Sequence, residues 1–203
     1  MEFWLTVLAL GSIYLIVALS LDLLAAEIGL LSVAHAAIFG LGAYGAALSN
    51  TLLGGSWWLG LLVGVGLAVV GTVIVGMLSF WIRDDFFVMV SLAFGLVLHG
   101  VYFNWVSLTG GDSGVVGITP WRIAGLGQHT SMILIAAGVA AAIAVGRHRL
   151  RRSPLGRAWR AVGEDEAVAV ALGINPRVQK LLAFAISGAI AGVAGVLFAH
   201  YTT

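Results

Sequence analysis

The chain has 203 residues, of which 61% are hydrophobic and only 9% charged, with a formal net charge of +1. A soluble domain carries about 25% charged residues, so this composition excludes a globule wetted on all sides, and the near-neutral balance gives no basic field for nucleic acid. The absence of cysteine excludes disulfides, thiolate metal sites and a cysteine nucleophile.

A helix needs about 20 apolar residues to cross the hydrocarbon core of a bilayer. The first candidate span is 3–21. Glu2 stands where a signal sequence would be basic, and no small-residue cleavage site follows, so this segment reads as a span that stays. The second candidate, 28–53, contains Ser32, His35, Ser49 and Asn50. These polar groups allow either a spanning helix or a re-entrant or broken one. The third and fourth candidates are 57–82 and 86–106, and the fifth, 130–146, is short. The sixth, 181–201, carries Gly188-x-x-x-Gly192, a small-residue face like Gly60-x-x-x-Gly64 in the third. The fold class expected is therefore all-α, a single polytopic bundle of about six spans over residues 1–203.

The distribution of Lys and Arg orients it. Arg147, Arg149, Arg151, Arg152, Arg157, Arg160, Arg177 and Lys180 fall between the fifth and sixth spans. With that connection in the cytoplasm, Arg83 is also inside and only Arg122 is outside, while both the N-terminus and Thr203 become external.

The connection 147–180 is charged where the rest is lipid-like. Ser153-Pro154 breaks the chain before a short helical pattern over 157–162. Glu164, Asp165 and Glu166 suit the amino end of a second short helix over 164–172. Gly173 suits a left-handed cap, and Pro176 prevents continuation. By itself this reads more readily as an ordinary juxtamembrane loop held near anionic headgroups by its arginines.

Catalytic chemistry is sparse. Lys180 is the only lysine and no glycine-rich phosphate loop precedes it, so ATP is not bound in that way. Gly111-Asp112-Ser113-Gly114 resembles a serine-protease nucleophile sequence, which leaves an intramembrane serine hydrolase using Ser113 as one reading. The other is a glycine-rich external turn, with His35, His99, His129 and His200 scattered over other segments. No metal-ligand spacing occurs and no cofactor is implied. His35 and His99 lie at membrane depth, where polar groups bond neighbouring helices or face a water path. Asp22 and Glu27, near the cytoplasmic ends of their spans, read as solvated.

Ser153-Pro154-Leu155-Gly156-Arg157-Ala158-Trp159-Arg160-Ala161, Gly163-Glu164-Asp165-Glu166-Ala167, Ala171-Leu172-Gly173-Ile174-Asn175 and Lys180-Leu181-Leu182-Ala183-Phe184 closely resemble the cytoplasmic segment of LivM-type branched-chain amino-acid ABC permeases. The run Gly29 to Tyr44, Leu92-Ala93-Phe94-Gly95, Leu108 to Gly114, and Ser187 to Gly195 resemble further blocks of that family, in family order. Ala34 replaces the usual glycine, Glu27 is an unusual charge, and the family normally continues beyond the point where this chain ends at Thr203.

The resemblance implies a transport subunit without its own ATPase site in the cell inner membrane. Its coupling helix would dock on an ABC ATPase through Glu164, Asp165, Glu166, Ala167, Val170, Ala171 and Gly173. A second permease subunit and a periplasmic substrate-binding protein would complete the importer. Ser32, His35, Phe39, Tyr44, His99, Thr109, Gly110 and Gly111 would line or approach the substrate path, for branched-chain amino acids or similar small solutes. A self-contained channel or secondary transporter remains the alternative.

Overall fold

The computed structural model describes residues 2–54, 56–82, 84–118, 120–121 and 125–202. Among them the regular elements are all helical: α1 (Glu2–Glu27), α2 (His35–Leu53), α3 (Trp57–Leu78), α4 (Asp84–Asn104), α5 (Val106–Thr109) with a following 3-10 turn (Gly111–Ser113), α6 (Gln128–Arg152), α7 (Pro154–Glu164), α8 (Glu166–Ala171) and α9 (Pro176–Tyr201). Five of these helices are long and apolar enough to cross a membrane: α1, α3, α4 from Phe86 onward, α6 and α9. The shorter α2 lies among them, packed on α3 and α9. Arg83, Arg122 and Thr203, which enter the orientation argument, lie outside the described residues.

Several boundaries differ from the sequence expectation. The first span continues to Glu27, the fifth runs from Gln128 into the arginines up to Arg152, and the sixth begins at Pro176. Hydropathy marks only the apolar part of a helix, whereas the helix itself ends where its caps are. The third expected span, 57–82, ends as a helix at Leu78. The second is not one helix: residues 28–34 are non-helical, and α2 starts only at His35. Gly29, at φ 78°, turns the chain out of α1.

The bundle is organised around α9, the most enclosed span, whereas α4 is the least enclosed and lies at the edge. Small residues make the central contacts. A Cβ on Gly195 would overlap the Phe39 carbonyl, and one on Gly42 would come within 2.6 Å of the Gly192 carbonyl oxygen. The glycines therefore let the backbones of α2 and α9 touch, the means by which helices associate where lipid supplies no hydrophobic driving force. Gly60, Gly64, Gly188 and Gly192 are buried where α3 packs against α2 and α9.

At one end of the bundle, α6 stops at Ser153, whose hydroxyl accepts from the Gly156 amide (3.2 Å) and caps α7 with Pro154 in its first turn. Such a cap satisfies a donor that has no intrahelical partner. Asp165, in extended conformation, ends α7 and caps α8 by accepting from Ala167 N (2.7 Å) and Val168 N (3.1 Å). Asn175 does the same for α9 through Arg177 N and Val178 N. Gly173 (φ 79°) ends α8, with Ile174 N donating to Ala169 O and Gly173 N to Val170 O, both at 2.9 Å. This is the Schellman pattern, which needs a left-handed residue. At the opposite end, Gln128 Nε2 donates to the Tyr201 carbonyl (3.3 Å), and His129 Nδ1 lies 2.9 Å from the Tyr201 hydroxyl.

Candidate functional site

Two regions of the bundle bring the sequence-singled residues together. One is the short-helix corner between α6 and α9. α7 buries Gly156, Trp159 and Val162 against the bundle. α8 buries only Ala169 and leaves Val168, Val170 and Leu172 exposed, each by more than half of its surface. Ala167, Ala171 and Gly173 are exposed as well. The expected helix over 164–172 is shorter than its sequence pattern, because Asp165 becomes the cap; Glu164 belongs to the last turn of α7. Glu166, in the first turn of α8, pairs with Lys180 of α9, whose side chain is buried. The corner is thus anchored beneath and leaves these apolar side chains exposed.

The same corner corrects the expectation for Asp22 and Glu27. Asp22 is half-exposed and pairs with Arg147. Glu27 is not solvated: it is 2% exposed, with Arg151 Nε 2.8 Å and Arg160 Nη1 3.3 Å from its carboxylate oxygens. Arg160 also donates to the Arg151 carbonyl at 3.0 Å. A buried carboxylate is tolerable only with such partners. Beside it, the backbone of Ile28 lies so close to Gly163 that a Cβ there would meet it at 2.9 Å. The charge placed at 27 by the sequence thus clamps the end of α1 to α6 and α7.

The second region is the start of α2, inside the bundle. His35 Nε2 lies 2.9 Å from both Ser20 Oγ of α1 and Ser187 Oγ of α9. Each serine hydroxyl is also 2.8 Å from the other's backbone carbonyl. Ser20 and Ser187 were not singled out in the sequence; isolated serines within apolar runs give no local signal of meeting. Ser32 is also buried, and neither its Oγ nor His35 Nδ1 has a hydrogen-bond partner. Val33 N donates to Ser91 Oγ of α4 (3.1 Å).

Above this point, a cavity of about 350 Å³ lies between α2, α9 and the loop 113–118. Phe39, Tyr44 and Phe198 line it with Ser113, Val116 and Thr202. Its size is that of a small-solute pocket. A second, apolar groove of about 330 Å³ runs between α2 and α4, along Val33, Ala36, Ala37, Leu92, His99 and Tyr102. Tyr44 and Tyr102 stack with centroids 4.8 Å apart between the two spaces, and Tyr102 Oη donates to the Ala37 carbonyl (2.7 Å).

Thr109, Gly110 and Gly111 line neither space. Thr109 is buried, with Oγ1 2.7 Å from the Tyr102 carbonyl and accepting from Gly111 N (3.2 Å). Gly110 and Gly111 take positive φ in the turn beyond it, so this trio shapes the loop that carries Ser113 into the first cavity. Among the described residues no histidine lines that cavity with Ser113, so they assemble no serine–histidine pair there. His99 is exposed on the α4 side of the groove and, among the described residues, makes no hydrogen bond to a neighbouring helix.

Residues 3–203 match the model of a family described as the branched-chain amino acid transport system / permease component. The chain is 32% identical to the "High-affinity branched-chain amino acid transport system permease protein LivM" of Escherichia coli (strain K12) over 215 residues, covering 94% of this chain and 51% of that protein. It is 32% identical over 213 residues to the protein of the same name from Salmonella typhimurium (strain LT2), covering 92% of this chain and 50% of that protein. The chain thus spans about half the length of the curated relatives it matches. No solved structure matches it. With its apolar spans, its capped corner between α6 and α9 and this match over nearly its whole length, the chain is a multi-pass membrane protein that belongs to the branched-chain amino acid permease-component family.

Proposed function

We propose that the chain is a transmembrane permease subunit of an ABC importer for branched-chain amino acids or similar small solutes, driven by ATPase subunits in trans. The observation that carries this reading is α8. A helix of six residues, capped at both ends and held from beneath by Lys180, exposes Val168 and Val170, with Leu172 exposed just after it. Isolated helices of that length are unstable in water. Its rigid presentation suits a groove on a partner rather than a solvated loop. The basic end of the bundle is then cytoplasmic, in the inner membrane, and the loop 113–118 faces a periplasmic binding protein. A second permease subunit completes the pathway, beside Ser32, His35, Phe39, Tyr44 and His99.

ATP-driven closure of the ATPases would move α8 with α7. The Glu27 clamp and the Ile28–Gly163 contact would carry that movement to residues 28–34 and so to the start of α2. Co-purification with the ATPase and uptake into cells test the reading. Ala171→Arg places a long cation on the exposed face, and Gly173→Val forces a β-branched residue to positive φ, a cost of about 1–2 kcal/mol or more. Both variants are expected to lose at least about tenfold in uptake and in ATPase recovery at matched membrane levels, a loss of 1.4 kcal/mol or more in association. Uptake without any ATPase, or wild-type values in both variants, would move the chain to the self-contained channel or secondary transporter.

A further inference from the structure

The two sides of α6 end differently. Met132, Ala136 and Ala140 are buried against α1, and that side of the helix closes on Arg147, which pairs with Asp22. On the outward side Leu134, Gly138, Ala141 and Val145 are exposed at helical spacing, and the same line continues through Arg149 and Arg152, also exposed. At 1.5 Å per residue, Arg149 begins about 6 Å beyond Val145. A lipid chain lying against this apolar line therefore brings its headgroup level with the two guanidinium groups.

The arginines at this end of the bundle fall into two sets. Arg147, Arg151 and Arg160 are taken up by Asp22 and Glu27. Arg149, Arg152 and Arg157 form no ion pair among the described residues. The nearby acids of α7 and α8 do not serve them. Asp165 caps α8, Glu166 pairs with Lys180, and Glu164 lies at the far end of α7 from Arg157. Arg157 also folds back across the corner between α6 and α7, where its Nη1 donates to the Arg152 carbonyl at 3.0 Å. Cationic side chains are thus gathered at one corner although like charges repel. An anion among them removes that repulsion, and the guanidinium fork matches the oxygens of a phosphate.

We propose that the outward face of the α6–α7 corner binds an anionic phospholipid. Its headgroup phosphate lies among Arg149, Arg152 and Arg157, and an acyl chain follows the line from Leu134 to Val145. An acidic protein surface would match the arginines alone, whereas a lipid matches the arginines and the apolar line within the span together. The site is independent of the transport reading and of the exposed side chains of α8.

Native mass spectrometry of the full chain, released from detergent micelles, tests it by measuring the first bound phosphatidylglycerol against phosphatidylcholine with the same acyl chains. Phosphatidylglycerol is expected to bind at least about tenfold more tightly, since each arginine near a membrane surface contributes about fivefold. The double variant Arg149→Gln/Arg152→Gln should reduce that preference to about twofold or less, and Arg157→Gln alone should lower it by about fivefold. Phosphatidylcholine binding should stay unchanged in both, which a misfolded chain would not show. Arg177→Gln removes the same charge from the exposed start of α9 and should leave the preference intact. Glycerophosphoglycerol, the headgroup without its chains, should not compete. Equal affinity for the two lipids, or a preference unchanged in both corner variants, would overturn the site. An equal loss in Arg177→Gln would replace it with a diffuse basic field, and effective competition by glycerophosphoglycerol with a free-phosphate site. Loss of ATPase recovery in the double variant with the lipid preference intact would assign the arginines to an acidic protein surface instead.

Discussion

Glu27 shows how one side chain acquires a role that its position in the chain conceals. A carboxylate at the end of an apolar run reads as solvated, yet α7 folds back over it and delivers Arg160 while α6 delivers Arg151. Asp22 is an internal comparison, because its pair with Arg147 leaves the carboxylate half-exposed. Removing a buried ion-pair partner is more disruptive than removing an exposed one, where water replaces the lost contact. The half-exposed arginines around Glu27 can turn toward water, which moderates the loss. Glu27→Ala is expected to lower the stability of the chain by about 1–3 kcal/mol and Asp22→Ala by less than about 1 kcal/mol. Unfolding in mixed micelles checks the order; equal losses would mean that Glu27 is solvated after all. Neither arginine could have been assigned to Glu27 in advance, since both are more than 120 residues away in the chain and other arginines lie beside them.

The elements differ in how openly the sequence announces them. The apolar runs mark the long spans, and Ser153-Pro154, Gly173 and Asn175-Pro176 mark the corners, because caps and breakers act through local geometry. The exit from α2's expected start is less legible. Ile28, Gly29 and Leu30 are as apolar as a span, and only the burial of Ser32 and His35 against α1, α4 and α9 explains why the chain stays irregular there. Glycine spacing likewise shows that close packing is available without naming the partner. Gly195→Val should separate α9 from α2, because its Cβ meets the Phe39 carbonyl, which cannot turn aside. Gly66→Ala, on the exposed side of α3 with nothing within 4 Å of the added carbon, should be neutral or gain up to about 1 kcal/mol. Thermal stability of the two purified variants checks the contrast. A tolerated Gly195→Val would remove the backbone contact from the account of the bundle.

At the scale of the molecule, the two ends of the bundle differ in chemistry. One carries the arginines of α6 and α7 with Trp81 and Trp159; the other carries Trp4, Trp57, Trp58, Trp105 and Trp121, so interfacial tryptophans flank the spans at both ends while the arginines mark one. With the basic end in the cytoplasm, residue 153 is reached from inside and residue 113 from outside. The chain has no cysteine of its own, so Ser153→Cys and Ser113→Cys each introduce a single thiol. An impermeant maleimide applied to intact cells should label the second variant and not the first. Labelling of both from the same side would contradict the orientation and the arrangement of spans together.

The sequence by itself determined the solvent, the helical class and the family. Sparse charge leaves lipid as the only medium for so many apolar residues, while caps, breakers and family blocks are read over short stretches. Tertiary structure alone decided which polar groups meet. Ser20, His35 and Ser187 converge, Glu27 is enclosed, and Thr109 bonds the Tyr102 carbonyl. Local patterns fix how a segment folds because backbone hydrogen bonds are satisfied within it. The partner of a buried side chain depends on which helices pack together, and that follows from the fit of all their surfaces at once.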